Sequence, residues 1–415
     1  MERRTFLRSS LLACAGLAAN RLTVLAQRGV DPIALRVRYP DLARHFVFEY
    51  YPWYGSNPFK HWNQDGRRPP ADLAANYVPL LGAYDSASTA VLEQHARWIK
   101  DSGAGAINVS WWGQGSDIDR LIPSLMDVMA AHDLRVTFHL EPYRSHRALS
   151  YAGDIEYLIR RYGDRRGWDA MLLLTNADGS TGPVFKSFRT ILPRTETDCH
   201  GRTTEVADFA EDAVWRAQTD LVRETWAGDF SHMTLLADSL DVARTEAAGF
   251  DGIAIYDNYV HPDTWRTHAQ NCSARRLLFA FNVNPGFDGV VDVSRPADSC
   301  YVPLPLDPAA DAVDWSQSVD RDRAAAASER RIIESFDATL TLQTDADLSN
   351  ARRGFFLVYL NSFNEWHEGH QFEPMKDVVA LTPEERARGY HNPTDGSYRL
   401  RTLGRLITGV AGSRQ

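Results

Sequence analysis

"AINVSWWGQGSDIDRLIPSLMDVMAAHDLRVTFHLE", residues 106–141, carries a strand, a helix and a second strand in one stretch. The runs "AINVSWW" (106–112) and "RVTFHLE" (135–141) are short, apolar and β-branched, and each ends in a polar or aromatic cluster. "DIDRLIPSLMDVMAAHD" between them has the helical period. A strand that returns through a helix to another strand is the unit of a parallel sheet.

Working outward from this unit, the same pattern recurs. Further strands are expected at 45–51, 183–188, 232–238, 252–257, 277–283 and 354–360, making eight. Helices are expected in "STAVLEQHARWIKDSG", "VADFAEDAVWRAQTDLVRETW", "SLDVARTEAAG", "DRAAAASERRIIESFDATLTL" and "YRLRTLGRLITGV", with a less clear one near 151–162. In the first of these, Ser88 or Thr89 is placed to cap, Leu92, Ala96 and Ile99 share a face, and Gly103 stops the helix. Eight such alternations predict a (β/α)8 TIM barrel with long loops on the catalytic face. A doubly wound open sheet is the competing architecture, but no Gly-rich phosphate loop follows the first strand. Residues 52–87, 190–202 and 284–324 are rich in Pro, Gly, Asp and Asn and read as insertions on a single domain, 27–415.

Composition narrows the function classes. The 415 residues are 44% hydrophobic, enough for one large barrel or two ordinary domains, and a formal charge of -9 leaves no broad basic surface for nucleic acid. Acidic polymers are disfavoured for the same reason. Eleven Trp and sixteen Tyr, many beside polar residues, suit neutral ring-shaped ligands that stack on aromatic faces. Core packing is the competing explanation for most of those rings.

"ERRTFLRSSLLACAGLAAN", with Arg3 and Arg4 before Phe6 and Leu7, is similar to a twin-arginine export signal over residues 1–26. That predicts a bacterial periplasmic or secreted protein. Cys14 as a lipoprotein anchor fits less well, because the apolar run ahead of it is very short. No later stretch has the roughly twenty apolar residues of a bilayer span. Of Cys14, Cys199, Cys272 and Cys300, cleavage leaves three, and the simplest disulfide is Cys272 to Cys300, although spacing cannot fix the pairing. The histidines of "HEGH" (367–370) are three apart, not the four of the helical zinc motif, so no metal and no cofactor are expected. Oligomeric state is not readable from the sequence.

The strand ends collect the chemistry, because they face the mouth of such a barrel. They supply Tyr51, Trp53 and Tyr54 with His61 and Trp62; Trp111 and Trp112; His139, Glu141 and Tyr143; Asp238, Tyr256, Asp257 and Asn258; and Asn364, Glu365, Trp366, His367 and Glu368. His139 and Glu141, two apart in a strand, share a face. Glu365 and Glu368, three apart, would share a face on one helical turn and perturb each other's titration. Carboxylates in an aromatic, partly desolvated cup are what glycoside cleavage requires: one to protonate the leaving oxygen, another kept ionised. Taken alone the pair also fits a charged helix start.

"YYPWYG", "HWN", "YDS", "VSWWG", "FHLEPY", "GFDGIAIYDNY" and "NSFNEWHEGHQFEP", in this order from about residue 46 to 374, resemble glycoside hydrolase family 99, the endo-α-mannosidase and endo-α-mannanase family. The resemblance implies a (β/α)8 barrel that cleaves internal α-mannosidic bonds with retention through a 1,2-anhydro sugar. It implies that Glu365 takes the proton of the sugar 2-hydroxyl and that Glu368 is the general acid, then the base toward water. It also implies substrate contacts at Tyr51, His61, Trp112, Glu141 and Tyr256. Ala297, in "SRPADS" (294–299), stands where the family has an indole, and the 55–70 loop differs from the animal enzymes. Both departures touch the sugar rather than the glutamates. A family-99-like hydrolase of another polysaccharide, or a non-catalytic carbohydrate-binding barrel, are the alternatives; the second need not keep both glutamates.

Overall fold

The computed structural model describes residues 30–256, 260–290, 300 and 313–412. The export signal, Cys14, Asp257, Asn258 and Ala297 lie outside the described residues.

Among the described residues eight parallel strands form a closed ring. They are β1 (Phe46–Tyr50), β2 (Ala106–Trp111), β3 (Arg135–Leu140), β4 (Thr181–Ser187), β5 (Thr234–Ala237), β6 (Gly252–Ala254), β7 (Leu278–Ala280) and β8 (Val358–Leu360). Each pairs with its successor in sequence through β7. The chain then continues past Phe281 into Asn282–Val283, which pairs with β8, and β8 pairs with β1 at Phe46↔Val358, closing the barrel. All eight expected strands are present, most of them trimmed at the ends, which is where ladders lose partners.

Helices follow the strands: α1 (Thr89–Asp101), α2 (Asp117–Ala131), α3 (Tyr151–Leu158), α4 (Asp212–Trp226), α5 (Val242–Ala247), α6 (Pro262–Ala274), α7 (Ser318–Thr344) and α8 (Tyr398–Ala411). In α1 the predicted stripe Leu92, Ala96 and Ile99 is buried, and Gly103 at φ 83° ends it. The uncertain segment near 151–162 is α3 followed by a π-turn, Ile159–Gly163. The loops are less bare than composition suggested. Gly55–Ser56 pairs with Phe59–Lys60, Thr195–Thr197 pairs with Thr203–Glu205, and Leu173–Thr175 runs antiparallel to β4.

Period-two alternation divides the core. Phe48, Val109, Phe138, Phe185 and Leu360 point outward into the layer shared with the helices. Val47, Ala106, Val184, Leu236, Ala280 and Tyr359 fill the barrel interior. No helix among the described residues is long and apolar enough to cross a membrane.

Candidate active site

The inward positions turn polar toward the strand ends. Glu49 on β1, Asn108 on β2, His139 on β3 and Lys186 on β4 meet inside the barrel. Lys186 Nζ lies 2.7 Å from Glu49 Oε1, both side chains being fully buried. His139 Nδ1 is 3.1 Å and Asn108 Nδ2 2.9 Å from Glu49 Oε2. Burial alone would raise the Glu49 carboxyl, but the Lys186 and His139 partners hold it at about 2. His139 Nε2 is buried with no partner. One residue further along the same face, Glu141 accepts from Ser110 Oγ at 2.8 Å, and burial pushes its pKa up.

The segment after β8 carries the paired carboxylates on a turn rather than a helix. This corrects the expected shared helical face: no i→i+4 ladder forms here, because tertiary contacts take up the backbone groups. Asp288 and Val290 donate their N–H groups to the carbonyls of Glu368 (3.0 Å) and His367 (2.7 Å). Arg399, buried on α8, donates to the carbonyls of Gly369 and Gln371 at 2.9 and 3.0 Å. Gly369 sits at φ 72°, and a Cβ there would meet the Asp288 carbonyl oxygen at 2.1 Å, so the turn tolerates no side chain.

The two glutamates stand in contrasting surroundings. Glu365 is 3% exposed. Burial pushes its carboxyl above the usual range; His367, with Nδ1 3.4 Å from Oε1, pulls it back, and the Glu368 charge pushes it up again. The Glu368 side chain is 35% exposed. Burial would raise it too, but His370 Nε2 at 2.6 Å and the Tyr256 hydroxyl at 2.7 Å converge on Oε2 and pull it below the usual range. The expected electrostatic coupling is therefore present without the helix. The histidines of "HEGH" serve the carboxylates as hydrogen-bonding partners.

Around this turn lies an aromatic rim. Tyr51 packs on Trp53 (4.7 Å between centroids), Trp53 stacks on His61 (4.7 Å) and meets Trp112 (6.3 Å), while Tyr256 lies 6.5 Å from Tyr51 and 5.9 Å from His139. Trp112 is 38% exposed and donates to Ser110 Oγ, which in turn donates to Glu141. His61 is joined to the turn after β8 through its carbonyl, 2.9 Å from His367 Nε2, and burial lowers its own pKa to about 4. Tyr51, His61, Trp112, His139, Glu141 and Tyr256 are thus brought together with Glu365 and Glu368.

Other predicted contacts stand one layer back. Trp62 is fully buried, stacks under Tyr54 at 4.1 Å and donates to the Tyr84 carbonyl. The Tyr54 hydroxyl accepts from the Trp366 N–H, and Trp366 Nε1 donates to Glu373. Asn364 clamps the backbone of Tyr51 through both its amide atoms. Two of the predicted residues lie away from the rim. Trp111 faces outward and donates to Asp119 at 2.9 Å, and Tyr143 packs on its ring and donates to Asp154. The reason is strand parity: Trp111 follows Ser110, which points inward, so it must point out. Glu49 and Lys186 were missed, and the signal was available. A lone charge at an inward position of an apolar strand needs a partner.

The expected Cys272–Cys300 disulfide is corrected. Cys199 bonds to Cys300, and Cys272 is free and buried on α6. Among the described residues Cys199, His200 and Cys300 cluster at metal-ligand distances, but the two sulfurs are spent on each other.

Residues 41–172 match the family model for glycosyl hydrolase family 99. The glycoprotein endo-alpha-1,2-mannosidase-like protein of Danio rerio is 26% identical over 367 residues, covering 80% of this chain and 72% of the relative. The glycoprotein endo-alpha-1,2-mannosidase of Xenopus laevis is 27% identical over 361 residues, covering 78% and 68%. The solved GH99 endo-alpha-mannosidase from Bacteroides thetaiotaomicron superposes with a TM-score of 0.61 at 19% identity, covering 90% of this chain and 99% of that one. Its complex with bis-tris-propane gives 0.58 at 22%, covering 88% and 97%. At those identities the solved structures establish the barrel fold.

Proposed function

We propose that the chain is a glycoside hydrolase of the glycosyl hydrolase family 99 kind, and that it cuts internal α-mannosidic bonds with retention, through participation of the substrate 2-hydroxyl. Glu365 removes the proton of the 2-hydroxyl as that oxygen attacks the anomeric carbon. Glu368 protonates the departing oxygen and later activates the water that opens the 1,2-anhydro sugar. The nucleophile is already tethered to the sugar, so proximity costs little. The observation that carries this reading is the pair itself: two carboxylates on one turn at the barrel mouth, each held by its own histidine.

A raised pKa makes Glu365 a stronger base when ionised, and a lowered one makes Glu368 a stronger acid when protonated. When the free pair carries one proton, however, the opposite shifts favour its sitting on Glu365. Among the singly protonated forms the working arrangement is then the minor one until substrate binds. The same observation supports a second reading with exchanged roles, Glu365 as acid and Glu368 as a direct nucleophile. A 2-deoxy substrate separates the two: under the first reading it is not cleaved, and cleavage at the parent rate would sink it. Product lengths from α-mannan and yeast mannan test the endo mode and the choice of sugar together.

We propose further that the protein acts outside the bacterial inner membrane. The twin-arginine pattern supports this, as does the Cys199–Cys300 disulfide, which belongs to an oxidising compartment. Cell fractionation with and without an Arg3→Lys, Arg4→Lys change tests it.

A further inference from the structure

A cleft of about 470 Å³ opens at the end of the barrel where the strands begin, opposite the mouth. It lies between Thr181, the first residue of β4, the turn after α3 and the C-terminal end of α4. Its volume falls in the range of small-molecule sites.

Its walls are built from "YGDRRGWD" (162–169) and "TWAGDFS" (225–231). The rings of Trp168 and Phe230, both half-buried, meet at 87° with centroids 5.4 Å apart, forming an apolar corner. Trp168 is held at φ 62°, a left-handed conformation that a bulky residue rarely adopts. Its ring edge closes against Gly163, where any Cβ would approach Cζ3 to 2.4 Å. Trp226 is 5% exposed, yet its indole N–H has no hydrogen-bond partner. A buried orphan donor is costly and rare. The rim adds Ser231, the carboxylates of Asp164 and Asp229, and the guanidinium of Arg160, which lies 5.0 Å from the centre of the Trp226 ring.

We infer that this cleft is a second, non-catalytic binding site for a pyranose unit of a neutral glycan. Sugar rings present apolar C–H faces to aromatic corners and hydroxyls to carboxylates, and a hydroxyl oxygen supplies the acceptor that Trp226 lacks. Two carboxylates against one guanidinium leave the rim without the net positive charge that a phosphate or carboxylate ligand needs, and together they offer acceptors and donors to the hydroxyls of an uncharged polyol. A chain engaged on both ends of the barrel is held near the mouth between cuts, by linkage rather than by chemistry. Only the choice of probe rests on the mannosidic reading of the mouth.

The test is calorimetric titration of yeast-mannan oligosaccharides into the Glu368→Gln protein, which binds without cutting. Two sites per chain are expected. Trp168→Ala should leave one, and Trp226→Phe, which keeps a ring but removes the donor, should weaken the second about tenfold. Both variants built on the native chain should turn over a short soluble substrate at the native rate, which also reports correct folding. If Trp168→Ala fails to fold, Trp226→Phe and Asp229→Asn carry the test. One site per chain, or two sites indifferent to these changes, overturns the inference. Turnover with single-site binding would sink this site alone; two sites without turnover of any glycan would sink the proposed reaction alone.

Discussion

The Tyr256 hydroxyl donates a 2.7 Å hydrogen bond to Glu368 Oε2, reaching across the mouth from the end of β6 to the turn after β8. Together with His370 it keeps that carboxyl below the usual range. Tyr256→Phe should therefore raise the affinity of Glu368 for its proton. If Glu368 is the acid, the alkaline limb of the pH–rate profile moves to higher pH; if it must act ionised, the acidic limb moves instead. The profile of kcat against pH distinguishes the two.

Glu368→Gln should lower turnover of ordinary glycosides by about 10²–10⁴. A substrate with an activated leaving group, needing less acid assistance, should recover part of that loss. Equal losses on both substrates would remove the general-acid role.

The Glu49–Lys186 pair predicts an asymmetric stability cost. Lys186→Met strands a buried carboxylate and should destabilise the fold by about 3–5 kcal/mol, read as a lower urea midpoint. Glu49→Gln with Lys186→Met should recover much of it, since the uncompensated charge is gone.

Acid should weaken the protein in two stages. His45, buried against the Phe356 carbonyl, is depressed from 6.5 to about 4, chiefly by burial, so the unfolded chain binds its proton first and stability falls as pH drops through that window. Glu49, depressed from 4.5 to about 2, adds a loss between those values. Glu365, shifted upward, acts in the opposite sense, gaining stability on protonation. Denaturant midpoints at stepped pH would expose the stages.

Peptide mapping under non-reducing conditions should link Cys199 to Cys300 across 101 residues. Cys272→Ala should keep the link, whereas Cys300→Ser should abolish it and cost roughly 2–4 kcal/mol. A Cys272-containing linked peptide would contradict the fold of this loop.

Much of this protein was legible before folding. The eight strands, the α1 stripe and the joint placement of "HLEPY" and "NEWHEGH" at strand ends follow from period and order, because burial of one strand face or one helix stripe writes itself into local spacing. The ExxE spacing also announced that two carboxylates would feel each other.

Tertiary structure decided what spacing cannot carry. Parity against β2 sent Trp111 into the outer layer and Ser110 inward. Backbone bonds from Asp288 and Val290, with Arg399 from α8, made the segment of Glu365 and Glu368 a turn instead of a helix. The disulfide took Cys199 rather than Cys272, because α6 buries Cys272 in the core. The opposite displacement of Glu365 and Glu368 came last, from how deeply each is buried and which histidine faces it. Sequence determines local pattern; partners distant along the chain, brought close only by closure of the barrel, determine the charge each group carries.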